Sequence, residues 1–507
     1  MSMQAEQCNS TTIAEFDLGL QIRAVREWLS ERRGITSLVA VVRRDERSDV
    51  AWERLPDGDP RLGESLSAAT RRSVGRLEEH WRRYAGYSPS ARVEPFLGLG
   101  ACVLHGPVDA LRRFFDSPAA VDPAGPIEGL LFGDPLGTPE SLAAEDALVD
   151  VETLRRTMES LGRECYEAGQ NGVPFAHCRD ILESDAVLAA IGGGGRGFFG
   201  FGARPDPLEI LASVETPEAY LTQLGIGDAA RWGRGAGRGQ TVCVIDSGAD
   251  ESHPCLQRQV RHYLRYDLYG HEKEAYACMD HACHGTKIGG WIAGKDARRD
   301  ELGCEADGLV RLGIAPGAKL FVISALNGDL MRESASFPQL IAALEAAVLR
   351  RPALGHSIAN ISIEVAGDRL QPGVALMFDL LLERLTRSGI VPILAAGNRG
   401  ARSARLGRTG CYVGAADRRG RAWSKNGPHV DLLAPGVDLL CAHPRSARLN
   451  DAYVGIHTGT SIASAIVAGA VALVAAAKDI SAGEALARLQ ATARNRFINI
   501  DDALDWT

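Results

Sequence analysis

TVCVIDSGADESHP (241–254) sets four apolar side chains in a row, Val242 to Ile245, and then stops on Asp246-Ser247-Gly248. A short apolar run bounded by turn residues, with no alternation, reads as a strand buried on both faces. The same signature recurs downstream at Leu320–Leu326, Ser357–Ile363, Ile390–Ala396, Cys411–Ala416 and Val430–Ala434. Helical periodicity fills the intervals. Ser336–Arg350 places Leu340, Ile341, Leu344 and Val348 on one face, and Val374–Ser388 does so with Met377, Leu380, Leu381 and Leu385 before Gly389 stops it. Apolar strands alternating with helices predict an α/β domain over 216–507, a parallel sheet with helices on both faces. Ligands of such sheets gather at the carboxyl ends of the strands.

Those ends carry the reactive residue types. Asp246 closes the first strand, and His284-Gly285-Thr286 opens a helix of small residues. Ala396-Gly397-Asn398 closes another strand, and Thr460-Ser461 begins the most apolar helix of the chain. Each alone is an ordinary turn former or helix cap. Together they are the set that acyl transfer needs. A serine hydroxyl needs a base to take its proton, and the imidazole needs a carboxylate to fix its tautomer. The oxyanion needs preorganised donors, which a side-chain amide and a helix-start N–H supply. The order Asp, His, Ser is one of the known chain orders for this triad.

With these blocks the chain resembles the subtilisin-like serine peptidases, the subtilases, from about residue 220 to about 477. The resemblance extends to the entry segment LGIGDAARWGRGAGRGQTVCVIDSG, to GIAPGAK at Gly313–Lys319, and to CYVGAADRRGRAWSKNGPHVDLLAPG at Cys411–Gly436. It implies a serine endopeptidase that cleaves through an acyl-enzyme. Asp246 is then the orienting carboxylate, His284 the general acid and base, and Ser461 the nucleophile. Asn398 joins the Ser461 N–H in the oxyanion hole, and Ser362, Ile363, Glu364, Ala396 and Gly397 line the substrate site. The partner it implies is a peptide or protein substrate. A catalytically silent subtilase-fold binding or regulatory protein is the alternative.

The chain departs from the family pattern in three places, and one rival reading sits on the same residues. Ile462, Ala463, Ser464 and Ala465 follow Ser461 where Met-Ala-x-Pro is usual, so the helix starts without its proline. Lys287 replaces the second histidine of HGTHVAG. Glu364 stands where Ser-Leu-Gly ends in glycine; its carboxylate would narrow the pocket and attract a basic side chain, with Arg399 placed to neutralise it. Cys278, His281, Cys283 and His284 offer a competing zinc reading, but their spacing fits no finger, and ligation by His284 would silence the triad. No cofactor is expected; calcium sites occur in the family, yet no Asp-rich calcium loop is present.

The N-terminal half has a different texture. After a tail at 1–11, residues 12–125 read as an α+β domain: a strand at Ser37–Arg44, a helix over Leu66–Tyr84, strands at Ala91–Leu97 and Gly98–His105, a helix at Pro107–Phe115 and a closing strand at Ala119–Val121. That order is ferredoxin-like, the fold of the prodomains that commonly precede subtilases, which implies intramolecular inhibition. Residues 126–215 read as a helical and glycine-rich connection, with IGGGGRGFFGFG (191–202) as a loop and no phosphate-binding ending. The 507 residues carry a net charge of −8 and 11 cysteines. This predicts no nucleic-acid or membrane partner, reduced thiols and a cytoplasmic protein, since no basic-then-apolar leader opens the sequence.

Overall fold

A computed structural model describes residues 18–42, 60–132, 136–137, 217–226 and 235–506, with gaps of at most nine residues inside these spans. The helical segment and the glycine run expected between 138 and 216 lie outside the described residues. The chain divides into two compact units: one of 1–134 with 369–384, the other of 135–368 with 385–507.

In the first unit, α1 (Leu18–Ser30), β1 (Ile35–Val42), α2 (Pro60–Tyr84), β2 (Arg92–Phe96), β3 (Ala101–Pro107), α3 (Val108–Asp116) and β4 (Ile127–Leu131) follow in order. The strands form an antiparallel sheet in the order β2-β3-β1-β4, the order of a ferredoxin-like sheet. The fourth strand lies at Ile127–Leu131, beyond the expected Ala119–Val121. Alternation along β1 sends Leu38, Ala40 and Val42 into a core with Ile22, Val25, Leu29, Leu77, Trp81, Phe114 and Phe115. Gln21 covers the outer edge of β4: its amide donates to Leu130 O at 2.9 Å and accepts from Leu130 N at 2.8 Å. Val39 and Val41, on the opposite face, are equally buried.

In the second unit, β6 (Thr241–Asp246), β7 (Val260–Tyr266), β8 (Glu272–Lys273), β9 (Lys319–Ser324), β12 (Ile358–Ile361), β13 (Val391–Ala395), β14 (Cys411–Ala416) and β15 (Leu432–Pro435) make one sheet. Its order is β15-β14-β13-β12-β6-β9-β7-β8, parallel except for the β7–β8 edge pair. β5 (Leu136–Gly137), β10 (Asn327–Asp329) and β11 (Arg332–Ala335) form a small antiparallel sheet after β9. A hairpin of β16 (Leu439–Ala442) and β17 (Val454–His457) precedes the last helices.

The helices are α4 (Gly285–Ala293), α5 (Phe337–Leu354), α6 (Val374–Arg387), α7 (Thr460–Lys478) and α8 (Ala482–Thr492). Ser336 caps α5 by accepting from Gln339 N, and Gly355 ends it in the left-handed region at φ 68°. α7 is long and apolar enough to cross a membrane, and it is the core helix here: every residue from Thr460 to Ala475 is buried. An all-round apolar surface is what a helix enclosed on every side requires.

Candidate active site

Parallel register brings the strand ends into line. Asp246 pairs with Ser324 at the end of β9, Ile245 with Ile361 of β12, and Ile361 with Leu394 of β13. The residues following β6, β12 and β13 therefore emerge side by side. That places the Asp246 loop, Ser362–Glu364 and Ala396–Asn398 on one rim.

Asp246 is fully buried, and its Oδ1 accepts from Ser247 N at 2.7 Å and from His284 Nδ1 at 2.8 Å. A carboxylate facing Nδ1 keeps the proton there and leaves the Nε2 lone pair as the base. His284 caps α4, and the Cβ of any residue but glycine at 285 would overlap the Gly248 carbonyl. Cys283, just before the histidine, is held at φ 63°, a left-handed conformation that costs a non-glycine residue on the order of 1 kcal/mol.

The pair is held by polar groups that local sequence does not single out. The buried Asp280 carboxylate accepts from Ser247 Oγ at 2.8 Å, from Thr286 N at 2.7 Å and from Thr286 Oγ1 at 2.6 Å. Ser247 Oγ in turn accepts from Gly285 N at 2.9 Å, and Thr286 Oγ1 from Asp250 N at 2.9 Å. One carboxylate thus ties the loop after β6 to the first turn of α4, the two segments that carry Asp246 and His284. The one available signal was an acidic residue four positions before the histidine, inside the stretch read as a rival zinc cluster. Cys278 and His281 of that cluster lie outside the described residues. Among the described residues no group of three or more His, Cys, Asp or Glu is placed to hold a metal ion. Six described cysteines are buried thiols outside any disulfide, and burial pushes the Cys411 thiol up to about 12.

Asn398 follows β13 through Gly397, whose φ of 95° favours glycine and whose Cβ would stand 2.8 Å from Glu364 Oε1. The Asn398 side-chain oxygen accepts from Thr460 N and from Thr460 Oγ1, both at 2.9 Å, and Thr460 Oγ1 accepts from Gly397 N at 3.1 Å. With Oδ1 taken up by Thr460, the Nδ2 donors are directed elsewhere. Ser461 is the next residue, in the first turn of α7, where the helix dipole favours developing negative charge. Thr460 was not singled out from the sequence; its role depends on the non-local arrival of Asn398. Replacing Asn398 with Ala is expected to lower turnover about 10²–10³-fold with little change in KM, measured on a short peptide substrate.

Ser362, Ile363 and Glu364 are buried beside this segment. Asn360 Nδ2 donates to Ser362 Oγ at 2.8 Å. Glu364 Oε2 accepts from Asn398 N at 3.2 Å, so the carboxylate turns towards the backbone of the oxyanion candidate. Ala396 N donates to Val413 O at 3.0 Å, which anchors the other wall to β14.

Comparison with known proteins bears on the same half of the chain. The model of the subtilase family matches residues 237–503. An intracellular serine protease of Paenibacillus polymyxa is 31% identical over 258 residues, covering 48% of this chain and 69% of that protein. The major intracellular serine protease of Bacillus subtilis is 28% identical over 278 residues, 52% of this chain and 77% of that protein. Subtilisin-like protease 10 of Trichophyton verrucosum is 26% identical over 352 residues and is matched over 60% of its length.

Proposed function

The chain belongs to the subtilase family, and we propose that it is an intracellular serine endopeptidase restrained by its own N-terminal region. The observation that carries the catalytic reading is the buried Asp246–His284 contact at 2.8 Å, made at the rim where Asn398 is locked beside Ser461. In this reading His284 takes the Ser461 proton as Oγ attacks the scissile carbonyl. The Asn398 amide and the Ser461 N–H hold the oxyanion, and His284 returns the proton to the departing amine. Water then repeats the sequence on the acyl-enzyme. The intracellular setting rests on the similarity to two proteases described by that word and on buried thiols outside any disulfide. Peptide hydrolysis by the purified chain, with mass spectrometry of the wild type beside its Ser461→Ala variant, tests the reading. Self-processing confined to the wild type supports it, and identical masses without hydrolysis count against it.

Two features support restraint. The first unit takes in residues 369–384, a segment that lies in sequence between β12 and β13 of the catalytic sheet. Met377 packs where Gly129 leaves room on β4, and the buried Arg384 guanidinium donates to Leu99 O and, at 2.9 Å, to Gly100 O, with Glu128 at 3.8 Å. In addition, Leu136–Gly137, just after the N-terminal sheet, adds antiparallel to β11 as an extended peptide adds to a sheet edge. Arg384→Ala removes a buried cation and its hydrogen bonds, a loss of about 3–5 kcal/mol to the packing of that unit. Hydrolysis of a small peptide by the full-length variant is expected to rise several-fold, and unchanged activity would remove the restraint.

A further inference from the structure

Lys287, the departure from the family's second histidine, sits in a basic cluster that the catalytic scheme does not use. It lies three residues after His284 on α4, a spacing that puts both on one helix face. His457 ends β17, four residues before Ser461, and its imidazole stacks on that of His443 beyond β16, with centroids 5.6 Å apart and planes inclined by 15°. All three side chains are half-buried. Burial lowers the pKa of both rings, His443 to about 3, and Lys287 is the largest electrostatic contributor for each. His253 acts in the same direction on His443, and His443 and His284 do so on His457. Among the described residues no carboxylate lies within ion-pair distance of Lys287. The cluster therefore sets the basic Lys287 side chain beside two imidazoles that burial keeps neutral.

Its position gives this charge a role. In acyl transfer the carbonyl oxygen turns to the oxyanion donors, and the leaving nitrogen turns to the acid that protonates it. Asn398 supplies the first of these and His284 the second, and Lys287 lies on the helix that His284 opens, whose Gly290 packs closely on Ala442, the residue before His443. We propose that Lys287, with His443 and His457, forms an anion-recognising subsite for the leaving-group segment of the substrate. It would take a carboxylate on the residue just after the cut, from an Asp or Glu side chain or from the terminal carboxylate of a short leaving peptide. The neutral rings contribute hydrogen-bond donors and a water-poor wall, which strengthens the Lys287–carboxylate attraction beyond that of an exposed pair.

This rests on the endopeptidase reading, so the test keeps the two separate. kcat/KM is measured with the purified protein on peptides that share one cut and differ in the next residue: Asn, Asp, and a C-terminal residue as free acid or amide. The Asp/Asn or acid/amide ratio is expected to be about ten, the order of one charge-assisted hydrogen bond. Lys287→Met brings that ratio to about one and Lys287→Arg retains it, a comparison unaffected by any overall loss of rate. The two peptide pairs tell which carboxylate is read. A wild type with both ratios near one, or a preference that persists in Lys287→Met, overturns the subsite. Hydrolysis of the Asn peptide together with labelling by a fluorophosphonate reports on the endopeptidase reading by itself; failure of both removes that reading and the subsite with it.

Discussion

Ser461→Ala is expected to lower kcat on a peptide substrate by about 10⁴–10⁶-fold while the protein stays folded. The hydroxyl is the only group removed, and alanine suits the first turn of a helix. Ser461 sits in the fully buried start of α7, so the loss of one oxygen leaves a small void and costs far less than the total stability. The variant should therefore match the wild type in circular dichroism and unfold within a few degrees of it. The residual rate would come from the Asn398 side of the site and from substrate binding, neither of which depends on the serine oxygen. A Ser461→Ala protein that hydrolyses peptide at the wild-type rate places the nucleophile elsewhere.

Asp246→Asn is the second large effect, about 10⁴-fold in kcat at neutral pH. Asp246 Oδ1 accepts from both Ser247 N and His284 Nδ1. Both donors meet that one oxygen, so an asparagine either sets its oxygen there and keeps both bonds without the negative charge that stabilises the imidazolium, or sets its N–H₂ there. In the second orientation the amide faces the Ser247 N–H and donates to His284 Nδ1, which must then carry the lone pair. The proton moves to Nε2, and the base is lost at the atom that serves the nucleophile. Geometry is preserved, so the expected signature is a fall in kcat with KM nearly unchanged. A fall in KM-dependent terms alone would instead assign Asp246 to substrate binding.

The parts that were legible in the sequence are those whose environment is uniform. β6 is buried at every position, so its apolar run needs no partner to be recognised. The caps of α5 at Ser336 and Gly355 are local chemistry. Asp246, His284, Asn398 and Ser461 were singled out together because one reaction needs all four residue types. What escaped depends on distant contacts. β4 reads weakly because Gly129 interrupts it, and the glycine is required by Met377, some 250 residues away. α6 looks like any crossover helix, yet most of it belongs with the N-terminal sheet through Arg384. The α1 stripe of Ile22, Val25 and Leu29 went unread, because the core it enters is built from residues far along the chain, among them Leu38, Phe114 and Phe115. Asp280, Ser247 and Thr460 are commonplace polar residues whose work is to hold neighbours brought in by the sheet register.

The charged departures from the family pattern divide along the same line. Glu364 was read as a pocket carboxylate, and its Oε2 is turned to Asn398 N. Lys287 was only noted as a departure in the sequence; the fold packs its helix at Gly290 on Ala442, next to His443, which stacks on His457. A single substitution within a motif gains meaning from the residues that surround it in space.

The central claim is that Ser461 is a nucleophile activated by His284. It is tested most directly by treating the purified full-length protein with a fluorophosphonate and mapping the added mass by peptide sequencing. The account predicts one adduct, on Ser461, that forms in the wild type and is reduced in rate by orders of magnitude in Asp246→Asn. Labelling at another serine, or none after prolonged treatment of protein that has shed or loosened its N-terminal region, contradicts it.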